Sequence, residues 1–419
     1  MRTNRRARVV CLALLAAVLL AAGAAQATQW FGSSLTMPYY YTERLLDKER
    51  PFLSLYQYLD VGATALPNAP GLSFYFAGWG RLDMLEKQDL AFNAPGDAEL
   101  GSAYLSWTQE ERLIGFTAGR QFLHVGSVAD RIDGIAIQSD PLPWLGIQAF
   151  GGVPVVSQVG ERRGDWVFGG RVYGGWRPYF ELGFSAATYY EAGDPDRQRI
   201  GGDLSVFPAR WLDVLAHAYY DVLYGSLYDA RATVVGRPVK DLEVRAEYER
   251  TMPSAMLGMS SIFSVFSFST ISRVGGEVRY TAVRRVALDA EYQHYLYDDR
   301  DPADRFGGTV GVLWGKARED EAGLGAARLS RKDNGYTELR AFLTQGSDLG
   351  IYGTVDATIY LLDDRINDVN QGFSGSASFG YRLPAGLAIQ ATGLYQRGPH
   401  DGYDVRGLLK LAYNVDRTF

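Results

Sequence analysis

Apolar and polar residues alternate one by one along most of this chain. Over residues 242–248, Leu242, Val244, Ala246 and Tyr248 share one side, and Glu243, Arg245 and Glu247 share the other. Val286, Leu288, Ala290 and Tyr292 alternate in the same way with Asp289, Glu291 and Gln293. Phe180, Leu182, Phe184 and Ala186 alternate with Glu181, Gly183 and Ser185, and residues 351–361 repeat the rhythm. A period of two is that of a β-strand with one apolar face. The runs are about 10–13 residues long, which suits a tilted strand crossing a bilayer. They follow one another as a meander, with no helical period between them.

The connectors sharpen this reading. Short ones (177–178, 208–210, 236–238, 282–284 and 383–386) alternate with longer or more acidic ones (86–97, 155–164, 192–196, 298–304 and 363–372). Short turns at one end and longer loops at the other are the pattern of outer-membrane barrels. Counting gives about 21 strand segments after residue 52, of which 324–331 is the weakest. With both termini on one side the number must be even, so either a further strand lies within 30–41 or one of the segments, 324–331 first among them, is not a strand. The predicted fold is an all-β, antiparallel transmembrane β-barrel of about 20–22 strands. Too few residues precede the first strand to build a separate plug domain.

The N-terminus reads as a secretory signal peptide over residues 1–27. Arg2, Arg5, Arg6 and Arg8 precede an apolar run from Val9 to Leu20, and Ala25-Gln26-Ala27 is a small-x-small cleavage site. Residues 28–51 then form a short periplasmic arm or the first strand, and 52–419 the barrel. Four arginines and no acid leave with the peptide, so the net charge of −6 becomes about −10. Cys11, the single cysteine, leaves too, so the mature chain offers no disulfide and no thiolate metal site. The histidines, His124, His217, His294 and His400, are widely spaced and suggest no metal cluster. No cofactor is expected. An acidic chain without a basic tract argues against nucleic-acid binding. Asp/His pairs are conceivable at His400-Asp401 and at His294 with Asp298, but no motif singles out a catalytic set, and an enzyme is not expected.

Tyr (27) and Gly (48) are abundant, which fits a barrel with aromatic girdles. In the last segment Val405, Leu409, Leu411, Tyr413, Val415 and Phe419 share one parity, facing Arg406, Lys410, Asn414 and Asp416. A terminal Phe in phase with the apolar face resembles the assembly signal of bacterial outer-membrane proteins. That resemblance implies the barrel assembly machinery and outer-membrane lipid as partners. It also implies the Gram-negative outer membrane as the location.

Two loops carry the functional candidates. The stretch 119–134 opens on Gly119-Arg120-Gln121 and closes on Asp130-Arg131-Ile132-Asp133-Gly134. It resembles the strand-to-constriction-loop passage of bacterial porins, in which the loop folds into the barrel. The resemblance places Arg120 and Gln121 at the loop base and His124, Asp130, Arg131 and Asp133 at an eyelet. Arg120 has the parity of the lipid-facing Ile114 and Phe116, so a kink at Gly119 is needed to turn it inward. The stretch 251–270 is uncharged and rich in Met and Phe, and is expected to pack over the rim, plug the lumen in part, dip into the outer leaflet or meet a partner. Its Ser261-Ile-Phe-Ser-Val-Phe266, with Gly78-Trp-Gly-Arg81 and Gly119-Arg-Gln121, is similar to a porin-like group of large outer-membrane barrels. That likeness implies fold, not substrate.

Alternation assigns a charged face to the lumen. Its pore-lining candidates are Glu243, Arg245, Glu247, Arg273, Glu277, Arg279, Asp289, Glu291, Glu338 and Arg340. Arg171, Glu181, Asp203, Asp213, His217, Asp221, Asp356, Arg406 and Lys410 share it. A mixed, slightly acidic wall suits a channel for passive diffusion of small hydrophilic solutes or ions. The alternative is a sheath holding a periplasmic or extracellular protein partner, such as multihaem cytochromes, across the membrane.

Overall fold

The computed structural model describes residues 29–45, 48–66, 69–85, 96–109, 113–155, 164–176, 178–252, 269–281, 285–315, 320–399 and 402–418. The expected signal peptide, His400-Asp401, Phe419 and most of the 251–270 stretch lie outside these residues.

The first strands are β1 (Gln29–Leu45), β2 (Lys48–Thr64), β3 (Leu72–Asp83), β4 (Gly96–Thr108), β5 (Ile114–Val125), β6 (Val128–Leu142) and β7 (Leu145–Pro154). Next come β8 (Trp166–Trp176), β9 (Phe180–Glu191), β10 (Asp194–Ala209), β11 (Leu212–Asp221), β12 (Ser226–Val239), β13 (Leu242–Thr251) and β14 (Ile271–Tyr280). The last are β15 (Val286–Tyr297), β16 (Ala303–Trp314), β17 (Asp320–Arg331), β18 (Tyr336–Gly346), β19 (Ile351–Ile366), β20 (Val369–Arg382), β21 (Leu387–Gly398) and β22 (Gly402–Thr418). Each pairs antiparallel with the next, and β1 also pairs with β22, from Gln29↔Thr418 to Tyr41↔Arg406. The result is a closed 22-stranded antiparallel barrel with no free edge. The further strand within 30–41 is β1, and the weak segment 324–331 lies in β17. The barrel begins before residue 52, because β1 and the start of β2 occupy the 28–51 stretch.

The alternation resolves into an apolar exterior and a polar interior. On neighbouring strands Val244, Val274, Val278, Leu288, Phe306, Val310 and Leu324 all stand exposed on the outside. An apolar surface this continuous is stable only against lipid. Two of the connectors expected as longer loops are instead extensions of strands. Ala192-Gly193 and Asn367-Asp368 close tight turns, and Ala192, Asn367 and Asp368 take φ of 53°, 51° and 62°. Left-handed residues permit two-residue hairpin turns, so the strands run past the wall to those points.

Candidate functional site

Inside the barrel, one hairpin leaves the wall. β4 pairs with β5 only as far as Ala103↔Arg120, and β6 pairs with β7 only from Ile132↔Pro154. Residues 121–131 therefore pair only with each other, around a turn at Gly126-Ser127. The departure point is a glycine pair in register, Gly119 and Gly134. Gly119 has φ +125°, and a Cβ there would lie 2.3 Å from the Ala103 carbonyl oxygen. A Cβ on Gly134 would lie 2.2 Å from the Gly151 carbonyl oxygen. Only glycine lets the strands bend so close to their neighbours.

The hairpin curls across the inner wall. Its Leu123, Val125, Val128 and Ile132 pack on Phe150, Val167, Ala187 and Tyr189 in a buried cluster. The tip reaches β9 and β12: Ser127 N–H donates to Ser185 Oγ at 3.0 Å, and the Tyr228 hydroxyl donates to the Ser127 carbonyl at 3.0 Å. Tyr189 is 1% exposed, and its hydroxyl donates to Asp130 at 2.6 Å. A hairpin standing upright in the wall beside β4 and β7 could not touch β12. The porin-like passage is thus a docked β-hairpin rather than an irregular loop.

The candidates on this stretch divide accordingly. Arg120 and Asp133 form a bidentate pair at 2.7 Å, and Arg120 also donates to the Leu100 carbonyl at 3.1 Å. Gln121 is buried and donates to the carbonyls of Thr117 and Gly134. These three hold the hairpin base. Asp130 fixes the tip to the wall through Tyr189, and Arg131 pairs with Glu99 on β4. His124 faces a recess of about 660 Å³ shared with Arg171, Asp203, His217, Arg231 and Arg245.

The wall charges occur as ladders in which each of these arginines is held by one or two carboxylates. Arg171 pairs with Glu181 and Asp203. Arg237 pairs with Asp213 at 2.7 Å and Glu243 at 2.9 Å, and Arg245 is 3.5 Å from Glu243. Arg273 bridges Glu247 (3.2 Å) and Glu249 (2.6 Å), while Arg231 also holds Glu247. A second recess gathers Glu277, Arg279, Asp289, Glu291, Glu338 and Arg340 around Arg305, which pairs with Glu291 and Glu338. Arg340 pairs with Asp356. Cross-strand pairing neutralises most of the wall while leaving donors and acceptors facing water. His294 pairs with Asp304 at 2.8 Å on the outer face, not with Asp298. The reason is register: His294 stands opposite Asp304 on β16. Among the described residues no group of acids, histidines or cysteines is placed to hold a metal ion.

Alternation alone did not single out Ser127, Ser185, Tyr189 and Tyr228, because their meeting depends on the hairpin's curl. Nor did it single out a row of lumen-facing aromatics on β1–β3, which it merged with the girdles. Tyr39, Tyr41, Tyr56 and Tyr58 at spacing two were the available signal.

Fold and lumen together define a large transmembrane β-barrel with an inward hairpin. No family model matches the sequence, and no curated protein matches it. Among solved structures it is similar to OccAB1 of Acinetobacter baumannii, at 11% identity and TM-score 0.46, over 92% of this chain and 96% of that one. It is similar to OpdK of Pseudomonas aeruginosa, solved with vanillate, at 9% identity and TM-score 0.43, over 93% and 99%. The translocation pore of the P pilus usher PapC gives 10% identity and TM-score 0.42, over 92% and 100%. Likeness at this level carries no inference about this chain, whose fold rests on its own strand pairing.

Proposed function

We propose that the protein is a channel of the Gram-negative outer membrane through which small hydrophilic solutes or ions diffuse passively. The observation that carries this reading is the docked hairpin 121–131 inside a wide, charge-lined barrel. A barrel of this strand number encloses a lumen too wide for its own side chains to fill. The hairpin narrows that lumen without a separate plug domain among the described residues. The paired charges supply a wet wall with a slight excess of carboxylate, which favours cations weakly. The end that carries the termini faces the periplasm, and the assembly machinery reads the strand leading to Phe419. The same hairpin counts against a sheath around a large protein partner, because it takes up the space that partner needs.

Purified protein alone, reconstituted in a planar bilayer, is expected to give stable ion-conducting openings. An absence of conductance from correctly folded barrels rejects the channel.

A further inference from the structure

We propose that the lumen wall of β1–β3 is a binding track for neutral oligosaccharides; this rests on the channel reading and names its solute class. The residues are Tyr39, Tyr41, Tyr56, Tyr58 and Trp79. Their side of the wall follows from register. Tyr41 stands opposite Arg406, whose guanidinium pairs with Asp404 on the lumen face of β22. Tyr56 stands opposite Arg81, and Tyr58 opposite Trp79. The intervening Tyr40 and Leu82 are exposed on the outside.

The rings form two clusters along the same face of the wall. Tyr39 and Tyr41 stack at 5.2 Å between centroids, and Tyr41 stacks on Phe52 at 4.9 Å. Tyr56 and Tyr58 stack at 6.4 Å, and Trp79 lies 6.4 and 6.5 Å from them. Phe52 is only 4% exposed and backs the first cluster, whereas Tyr58 is 37% exposed and open to solvent. Residues two apart on a strand are about 6.6 Å apart, so rings on one face of β1 and of β2 follow one another along the wall. Sugar rings lay their C–H faces on aromatic faces and point hydroxyls sideways. All five residues are tyrosine or tryptophan, with a polar tip beside an apolar face, which suits a ligand that is part apolar and part wet.

Among the residues named above, the charged wall offers no vacant arginine to an anion. Its arginines are each held by one or two carboxylates, so an anion would have to displace a built-in partner. A neutral polyol instead finds fixed donors and acceptors without disturbing the pairs. Glu99, in register with Trp79, accepts Arg131 of the hairpin, so the constriction borders the track.

The test is block of the single-channel current by maltohexaose and cellohexaose, with glucose, benzoate and benzylamine in parallel. Saturable block by a hexasaccharide, much weaker with glucose, supports the track. Trp79→Ala and Tyr58→Ala are each expected to weaken that block about fivefold with the open current retained, and Trp79→Phe to keep most of it. Heat-modifiable migration identifies variants that have formed the barrel. A conducting channel that no hexasaccharide blocks overturns the track and leaves the channel standing, as does stronger block by benzoate or benzylamine. Should no current flow, the channel reading fails by itself. Calorimetric titration of the solubilised protein with maltohexaose then decides: binding heat lost in Tyr58→Ala supports the track, and no heat rejects it.

Discussion

One methyl group at Gly126 is expected to lift the hairpin from the wall. Gly126 holds φ +53°, and a Cβ there would sit 2.2 Å from Ser185 Cβ and 2.3 Å from Ser185 Oγ. Ser185 is a short side chain rooted on β9 and cannot swing clear. An L-residue in the left-handed region adds about 1–2 kcal/mol of strain. The collision also pushes the tip off Ser185 within the docked state, which forfeits there the bonds from Ser127 N–H to Ser185 and from Tyr228 to the Ser127 carbonyl, each worth about 1 kcal/mol net. Together the bias is about 3–4 kcal/mol, a shift of roughly 10²–10³-fold between docked and lifted states. The apolar face and the Tyr189–Asp130 bond remain to oppose it. Planar-bilayer recordings of Gly126→Ala are expected to show a larger mean open conductance and new closing events. Adding Ser185→Gly removes the colliding atoms and should restore most of the parent behaviour. Parent conductance and noise in folded Gly126→Ala would refute the docked-hairpin account.

Arg120→Ala strands Asp133 at the hairpin base and is expected to cost about 1–3 kcal/mol, read as a lower urea midpoint of unfolding; Asp133→Ala strands the arginine and should act similarly. Arg171→Met removes the cation shared by Glu181 and Asp203, so the reversal potential in a KCl gradient should move toward stronger cation selectivity. In the β15–β16 loop, hydrogen bonds from Ser269 and then Arg300 hold Asp299 below the ordinary carboxylate value. The tie should therefore persist at neutral pH and be lost only as pH falls through that lowered value, and Ser269→Ala should raise the Asp299 titration midpoint measured by NMR.

The strands were legible because a two-residue period is a local property. Leu242 to Tyr248 announces one face wherever the strand finally lies, and Glu277 and Glu338 line one recess together. Even the weak segment at Leu324 could be read, whereas the need for an even number left open whether Trp30–Tyr41 was a strand or one segment was miscounted. Turns were less legible. The 192–196 and 363–372 stretches look like loops by composition, yet left-handed Ala192, Asn367 and Asp368 let strands continue through them.

The two-residue spacing of Tyr39 and Tyr41, and of Tyr56 and Tyr58, puts each pair on one face, but a face has no side until the sheet closes. Closure set that side, through Tyr41↔Arg406 and Tyr58↔Trp79. The Gly119/Arg120 conflict signalled a bend at the right residue, and the docking partners Ser185, Tyr189 and Tyr228 were beyond it. They lie 58, 59 and 101 residues from their hairpin contacts. By itself the sequence determined strands, their two faces and the charge of each. Only the closed barrel decided which rings meet the lumen and where the hairpin lands, because both depend on register between strands distant in the chain.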